Sequence, residues 1–267
     1  MPIGGFRFSV VIAAGILALG FGIARGADKF KQECDSPHYP SPEPSQKLGI
    51  EAKCGVEGSG GDNAEQNRVK NNFCATGKPL PIALDDFKEL QKKAGANTDT
   101  ADRGPYGKLG EGQQRTFIGY VLLARQEGAE SVNCGKNVTE NVSQKKTLFH
   151  DIHISLVETA KTRSECSGIV VEMSPHHRPD AWTAGNVNKV KSKKAQVRVT
   201  GQLFFDASHR PCQAGKPIKG QPKRVSVWEI HPVYTFEVCS VGKCDDAEDK
   251  WQPLDEWVKA QKNKKKS

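Results

Sequence analysis

One stretch constrains the fold of this chain more than any other, residues 224–239, which read Arg-Val-Ser-Val-Trp-Glu-Ile-His-Pro-Val-Tyr-Thr-Phe-Glu-Val-Cys. The β-branched and aromatic residues of this stretch predict a long strand that bends at Pro232. Glu229 and His231 lie two residues apart within it, and in an extended chain they share one face. The sequence therefore predicts β-structure with polar groups set into one face of a strand.

Four segments upstream also have the composition of strands: 115–125, 149–157, 168–173 and 197–206. A short helix is predicted at about 180–190, between the third and the fourth strand. Three strands, a helical connection and two strands are the order of an OB-fold barrel, and mid-strand glycines at 119 and 201 suit barrel corners. A β-sandwich is the alternative, but it normally needs seven or more strands. We predict a mainly β protein with a five-stranded OB-like barrel.

Composition divides the rest of the chain into smaller parts. Residues 27–100 are predicted to form a small Cys-containing module of loops and two helices, at about 64–73 and 84–94. This module has few apolar residues, so we expect it to depend on disulfides and on packing against the barrel. The remaining predicted boundaries are a linker at 101–114, the barrel domain at 115–245 and a C-terminal segment with a basic tail at 246–267.

The N-terminus has the pattern of a signal peptide at residues 1–26. Arg7 precedes an apolar run, and Ala24 and Gly26 offer small residues for cleavage. An uncleaved anchor helix is the alternative, because the 17 residues 8–24 approach the length of a membrane span. We predict export to the periplasm or the outside of the cell, with no transmembrane span in the mature chain.

The cysteine content agrees with export. An even number of cysteines in an exported chain is typical of disulfides, and about 105 pairings remain open for eight. Three precede residue 100 and five follow it, so complete pairing requires at least one bridge between the two halves. The eight are Cys34, Cys54, Cys74, Cys134, Cys166, Cys212, Cys239 and Cys244.

The formal net charge of +8 falls to +6 when Arg7 and Arg25 leave with the signal. Part of the excess is a Lys-rich tail at 259–266 and part is a cluster at 189–194. Such runs are usually solvated, but the tail would suit an anionic envelope surface as partner. Nucleic acid is not expected as partner, because the strands lack the alternating exposed aromatic residues of single-strand binding platforms.

The candidate functional residues form two similar pairs, each on one strand. Asp151 and His153 share one face of the second strand, as Glu229 and His231 do on the fifth. The third strand of an OB barrel lies between these two, which places Glu172 among them. Weaker candidates are Asp206 and His209. Imidazole and carboxylate together bind zinc, manganese or iron, or act as general acid and base.

Structural hydrogen-bonded pairs are the alternative for each candidate. No cofactor is assured by the sequence, and a divalent metal is the one candidate. A G-x-S-x-G elbow, an H-E-x-x-H motif and a P-loop are missing from the sequence. A thiol nucleophile is not expected where every cysteine can be bridged. The identity of any catalytic residue therefore stays unknown from the sequence.

Four ordered motifs carry a resemblance. They are Asp151-x-His153, Ile-Val-Val-Glu-x-x-Pro at 169–175, Val-Arg-Val-Thr-Gly-x-x-Phe-Phe-Asp-x-x-His at 197–209 and Trp-Glu-Ile-His-Pro-Val at 228–233. Over residues 115–238 the chain resembles a set of uncharacterised bacterial exported proteins with an OB-fold-like domain. The resemblance implies an exported OB-like fold and assigns no activity.

Two hypotheses on function follow. The first is a non-enzymatic binding module of unknown ligand, with the ligand on the face of the second, third and fifth strands. The alternative is a divalent-metal-dependent hydrolase or nuclease that uses the His/carboxylate cluster to activate water. Convergence of these side chains on one point in a cleft would favour the metal-dependent enzyme.

Overall fold

The computed structural model describes Met1 and residues 34–45, 54–134, 149–213, 222–244 and 248–264. The predicted signal peptide, apart from Met1, and the last three residues lie outside this part of the chain. The strands are β1 (Thr76–Pro81), β2 (Gln113–Gln126), β3 (Ile152–Val157), β4 (Ile169–Met173), β5 (Gln196–Phe205), β6 (Trp228–Cys239) and β7 (Trp251–Pro253). The helices are α1 (Ala64–Lys70), α2 (Leu84–Ala94), α3 (Gly104–Gly107), α4 (Ala184–Lys193) and α5 (Leu254–Asn263).

Five strands close into a barrel in the order β2-β3-β4-β6-β5, and β5 pairs back onto β2. Within the barrel β4 and β6 are parallel, whereas the other neighbours are antiparallel. Helix α4 connects β4 to β5. This is the strand order of an OB-like barrel, so the predicted fold is confirmed and all five predicted strands are present. Two further strands, β1 beside β2 and β7 beside β6, extend the barrel wall and are not predicted from the sequence.

The two mid-strand glycines lie where strands approach closely. A Cβ on Gly201 would lie 2.3 Å from the carbonyl oxygen of Pro232, and the pairing of β5 with β6 is irregular at this residue. A Cβ on Gly119 would lie 2.6 Å from the carbonyl oxygen of Val157. Any side chain would therefore push the strands apart at both positions, which explains glycine at these corners.

The barrel strands alternate between an apolar core face and a second, polar face. Alternate residues such as Ile154, Val171, Val199 and Ile230 are fully buried in one hydrophobic core. Helix α4 adds Val187 and Val190 to this core. The side chains between these apolar positions, on the opposite face of β3, β4 and β6, form the candidate site.

Four disulfides pair all eight cysteines: Cys34–Cys74, Cys54–Cys134, Cys166–Cys212 and Cys239–Cys244. Cys54–Cys134 joins the front module to the segment after β2, as complete pairing of the cysteines requires. The predicted helix at 84–94 is confirmed as α2, whereas α1 ends at Lys70, three residues before the predicted end. Residues 101–114, predicted as a linker, include α3 and the start of β2, and Tyr106 stacks on Phe205 with ring centroids 4.2 Å apart.

No helix in the described ranges has the length and hydropathy needed to cross a membrane. Of the predicted basic tail, Lys259 and Lys262 lie on α5 and Lys264 follows it. Lys259 forms an i,i+4 ion pair with Asp255.

Candidate metal centre

The site lies where three neighbouring barrel strands present polar side chains on one face. Residue His153 of β3 is paired in register with Glu172 of β4. The next strand is β6, where Glu229 and His231 follow the same alternation. Asp151 comes directly before β3, two residues from His153. The strand order therefore brings together the five candidates that sequence alone places on one face.

Glu172 links the two histidines of this face. Its Oε1 lies 2.8 Å from His153 Nε2, and its Oε2 lies 2.7 Å from His231 Nδ1. Glu127, which follows β2, lies on the far side of His153, with Oε1 3.2 Å from Nδ1. The Glu172 carboxylate is thus shared between imidazoles from two neighbouring strands.

The charges of these groups shift their pKa values in opposite directions. Burial disfavours a charged His153, but the Glu172 carboxylate and the contacts with Glu127 and Glu130 raise its pKa well above the usual value. Burial likewise opposes ionisation of Glu172, but His153, His231 and Lys70 hold its pKa well below the usual range. His153 and Glu172 therefore form a buried ion pair.

Asp151 differs from Glu172 in its hydrogen bonding. Its side chain is 0% exposed, and neither carboxylate oxygen accepts a hydrogen bond from the residues that the structure describes. Burial, with the nearby charge of Glu130, raises its pKa above the usual value. An ionised carboxylate without a partner costs several kcal/mol in a protein interior, so a group in this position calls for a cation or a proton.

Asp151, Glu172 and His231 converge on one point. One ligand atom from each lies within 4.8 Å of the other two, and all three side chains are buried. The carboxylate and imidazole atoms of Glu172 and His231 are close, yet none of them makes a hydrogen bond with acceptable angles. Donor atoms that crowd together without aligned hydrogen bonds suit ligation of a common cation.

Glu229 and Asp206 belong to a neighbouring ion-pair network. Arg224, which is fully buried, pairs with Glu229 and places Nη1 3.4 Å from Asp206 Oδ2. His209 Nδ1 hydrogen-bonds the same Asp206 oxygen, and the Ser208 amide donates to Oδ1 at 3.0 Å. Glu229 approaches His231 only to 3.9 Å. These predicted candidates thus have protein partners, and Asp206 with His209 forms a turn at the end of β5.

The front module covers the polar face. Lys70, at the end of α1, is 5% exposed and pairs with Glu130 at 3.0 Å. Gln202 Nε2 of β5 donates to the carbonyl of Val69 at 2.7 Å and to that of His231 at 2.8 Å. Asn72 donates to the Gln202 side chain. The α1 segment is therefore hydrogen-bonded to Gln202 of β5, and the same Gln202 side chain bonds the backbone of His231 on β6.

Lys70, Glu127, Glu130 and Arg224 were not predicted as parts of the site. Burial lowers the pKa of Lys70, but Glu130, Glu172, Asp206 and Asp151 raise it above the usual value overall. Burial raises the pKa of Glu130, but the charge of Lys70 and the contact with His153 together lower it to about 2. The sequence offers no signal for Lys70, because its helix has Ala64 and Val69 as its apolar residues and nothing in this pattern shows that the lysine is buried.

Among the residues that the structure describes, the region contains more carboxylates than cations. The cations are Lys70, Arg178, Arg224 and the protonated His153, and the six buried or half-buried acids are Glu127, Glu130, Asp151, Glu172, Asp206 and Glu229. A divalent cation at Asp151, Glu172 and His231 would balance the excess of negative charge when all six acids are ionised. Such a site is closed, because none of the three ligands has more than 1% of its surface exposed.

Fold and site together define a disulfide-bonded OB-like barrel with a buried His/carboxylate cluster. Comparison of the chain with protein-family models, with curated proteins and with solved structures found no match. The resemblance to exported bacterial proteins therefore stays a prediction from the motifs.

Proposed function

We propose that this protein is an exported OB-like barrel that binds one divalent metal ion in a closed site formed by Asp151, Glu172 and His231. The observation that carries the proposal is the convergence of three buried ligand atoms within 4.8 Å of one another. The fully buried Asp151 carboxylate, which accepts no hydrogen bond from the described part of the chain, supports it because a bound cation would offset the cost of its charge.

The ligand set favours zinc. One imidazole nitrogen and two carboxylates are ligands that zinc accepts, and imidazole is preferred less by magnesium and calcium. Manganese is the second choice, because carboxylate oxygens suit it well. His153 would act through Glu172, since it contacts that carboxylate at 2.8 Å. Such contacts orient a ligand without touching the metal.

Burial favours a binding and stabilising role over hydrolysis. A catalytic metal keeps one position open for water and substrate, whereas a structural metal is enclosed by protein. The α1 segment covers this face, and Asp151 and His231 have no exposed surface. The ligand of the predicted binding module is therefore proposed to be the metal itself. The hydrolase or nuclease hypothesis would need the cover to open.

Export is part of the proposal. The four disulfides support it, because such bridges form and persist in oxidising compartments outside the cytoplasm. Intact-mass analysis of the secreted or periplasmic protein tests this point. A chain that begins at Ala27 is expected, whereas a full-length chain in the membrane fraction would contradict cleavage.

Elemental analysis of protein expressed in the periplasm tests the metal site. Wild type is expected to contain about one equivalent of zinc or manganese per chain, and His153→Ala plus His231→Ala is expected to contain almost none. His209→Ala is the matched control, because His209 is a strand-end histidine outside the ligand group. Near-zero metal in wild type, together with no rise in Tm on incubation with either metal, would overturn the proposal.

An assay of hydrolytic activity tests the hydrolase or nuclease hypothesis separately. If wild type holds metal and also cleaves a generic phosphodiester such as bis(p-nitrophenyl) phosphate, and His231→Ala does neither, the closed structural role is wrong. Metal content without cleavage supports the binding role.

A further inference from the structure

We propose that this protein has a second binding site, distinct from the metal centre, which takes a small organic anion with an apolar body. A cavity of about 500 Å³ lies between β2, the end of β3 and the end of α4. Its lining includes Tyr120, Val157, Arg163, Lys191 and Lys194. None of the candidate metal ligands lines it, so the inference does not rest on the metal site.

The cavity lies where the pairing of β2 with β5 ends and its pairing with β3 begins. Tyr120 pairs with Gln196, the first residue of β5, and also with Val157, the last residue of β3. The register of β2 against β3 then shifts between Val121 and Leu123. The pairing with β5 thus ends at Tyr120, where the pairing with β3 begins, and the cavity lies beside this point of β2.

The floor of this cavity is apolar. Val121, Val157 and Ala195 are buried, and Leu122 and Ala160 are half-buried. A volume of about 500 Å³ is within the range of pockets for small organic molecules. The floor would thus accept an aromatic or aliphatic body and remove it from water.

The rim of the cavity carries only positive charge. Arg163, Lys191 and Lys194 are exposed, and no carboxylate belongs to the lining. None of the three forms an ion pair with any residue in the described ranges. Arg163 is held near the rim by bonds from Nη1 to the carbonyl oxygens of Ala160 at 2.8 Å and Thr162 at 3.1 Å. Three cations without acidic partners attract an anion.

Of the four lysines near the end of α4, two line the cavity and two do not. Lys194 ends the helix in the left-handed conformation, with φ 51°, and Lys191 lies one turn before it. Both line the cavity, whereas Lys189 and Lys193 of the same helix do not. The sequence alone treats all four as one solvated cluster, so the two pairs provide a matched comparison of equal charge.

A fluorescence titration with 8-anilinonaphthalene-1-sulfonate, a small anion with an apolar body, tests the proposal. Saturable binding of one equivalent is expected for the folded, disulfide-bonded protein. Lys191→Gln with Lys194→Gln is expected to weaken binding about tenfold, because it removes two exposed cations from the rim of the cavity. Lys189→Gln with Lys193→Gln, which removes the same charge, should change the Kd less than about twofold.

Two results would overturn the proposal. One is an equal loss of affinity in both double variants, which indicates only a diffuse positive field. The other is binding that does not saturate or that is unchanged in Lys191→Gln with Lys194→Gln. Neutral N-phenyl-1-naphthylamine separates the contribution of charge. It is expected to bind wild type more weakly than the sulfonate, and to bind wild type and both double variants equally.

Discussion

Oε2 of Glu172 lies 2.7 Å from Nδ1 of His231, across the pair of parallel strands β4 and β6. These two residues are 59 positions apart in the sequence, and only closure of the barrel makes their strands neighbours. The other oxygen of Glu172 contacts His153 on the antiparallel neighbour β3. One carboxylate thus connects three strands on the face that the front module covers.

We expect Asp151→Asn to have opposite effects on the stability of the metal-free and the metal-bound protein. In the presence of a chelator, the variant should have a free energy of unfolding about 1 kcal/mol above wild type, because it removes a buried carboxylate that accepts no hydrogen bond from the described residues. With zinc at about 100 times the Kd, wild type should gain about 2.7 kcal/mol and become the more stable protein. Urea unfolding followed by circular dichroism measures both values.

Asp85→Asn is the control for this reversal in the order of stability, because Asp85 is an exposed aspartate on α2. It should follow wild type under both conditions. The same order of stability for Asp151→Asn and wild type, with and without zinc, would contradict the role of Asp151 as a ligand.

Lys70 and Glu130 are expected to be energetically coupled. Lys70→Met should lower the free energy of unfolding by about 3 kcal/mol, because it removes the nearer of the two cations that contact the largely buried Glu130 carboxylate. In the double variant with Glu130→Gln, part of that loss should be recovered, by at least about 1 kcal/mol relative to the sum of the single changes. A double-mutant cycle from denaturant unfolding gives the coupling energy, and strict additivity would show that the pair is not coupled.

Acid stability should depend on Asp206. Burial raises the pKa of this carboxyl, but the hydrogen bond from His209 and the charges of Lys70 and Arg224 outweigh it and hold the pKa well below the usual range. The folded state therefore binds fewer protons than the unfolded state, whose aspartate pKa is about 3.9. The contribution is complete above that pH and is lost as the pH falls below about 4.

The variant Asp206→Asn should lower the free energy of unfolding at pH 7 by about 3 kcal/mol, because Arg224 loses one of its two acidic partners in a fully buried site. Its stability should also fall less steeply than that of wild type between about pH 4 and pH 2. Urea unfolding at a series of pH values measures both effects. Parallel curves for the two proteins over that range would contradict the proposed pKa of Asp206.

The disulfide Cys54–Cys134 should stabilise the fold and retain the metal. The pair is separated by 80 residues, whereas Cys239 and Cys244 are separated by 5. Loop-closure entropy gives a loss of about 4 to 5 kcal/mol for Cys54→Ser with Cys134→Ser, against about 2 kcal/mol for Cys239→Ser with Cys244→Ser. Guanidinium unfolding compares the two double variants.

Metal release provides an independent measure of the same bridge. Because Cys54–Cys134 anchors the segment that leads into α1, its loss should accelerate transfer of zinc to the chelator 4-(2-pyridylazo)resorcinol. Loss of Cys239–Cys244 should leave the transfer rate close to that of wild type. Equal rates in both double variants would show that the α1 cover does not control access to the site.

Local sequence patterns were sufficient to predict the barrel strands. Val, Ile, Phe and Trp at alternate positions predict β3 to β6, and the helix between β4 and β5 limits the topology. The short strands β1 and β7 were missed because their sequences, Thr-Gly-Lys-Pro-Leu-Pro and Trp-Gln-Pro, contain few residues typical of strands. They form because the edges of β2 and β6 offer unpaired backbone groups.

The candidate site was predicted only in part. The two-residue spacing fixes which face Asp151, His153, Glu229 and His231 occupy, because side chains alternate along a strand. The polar face that the front module covers is not visible in any local pattern, although the module itself is predicted from composition.

The sequence by itself determined the order of strands, the pairing of polar residues on one face and the requirement for a bridge between the two halves of the chain. These follow from the period of an extended chain, from residue propensities and from an even number of cysteines. Only the tertiary structure decided that Asp151 is buried without a hydrogen bond from the described residues, that Arg224 pairs with Glu229, and that Lys70 covers the site. Burial and charge balance depend on contacts between residues far apart in the chain, and such contacts exist only when the barrel has closed and the front module has docked.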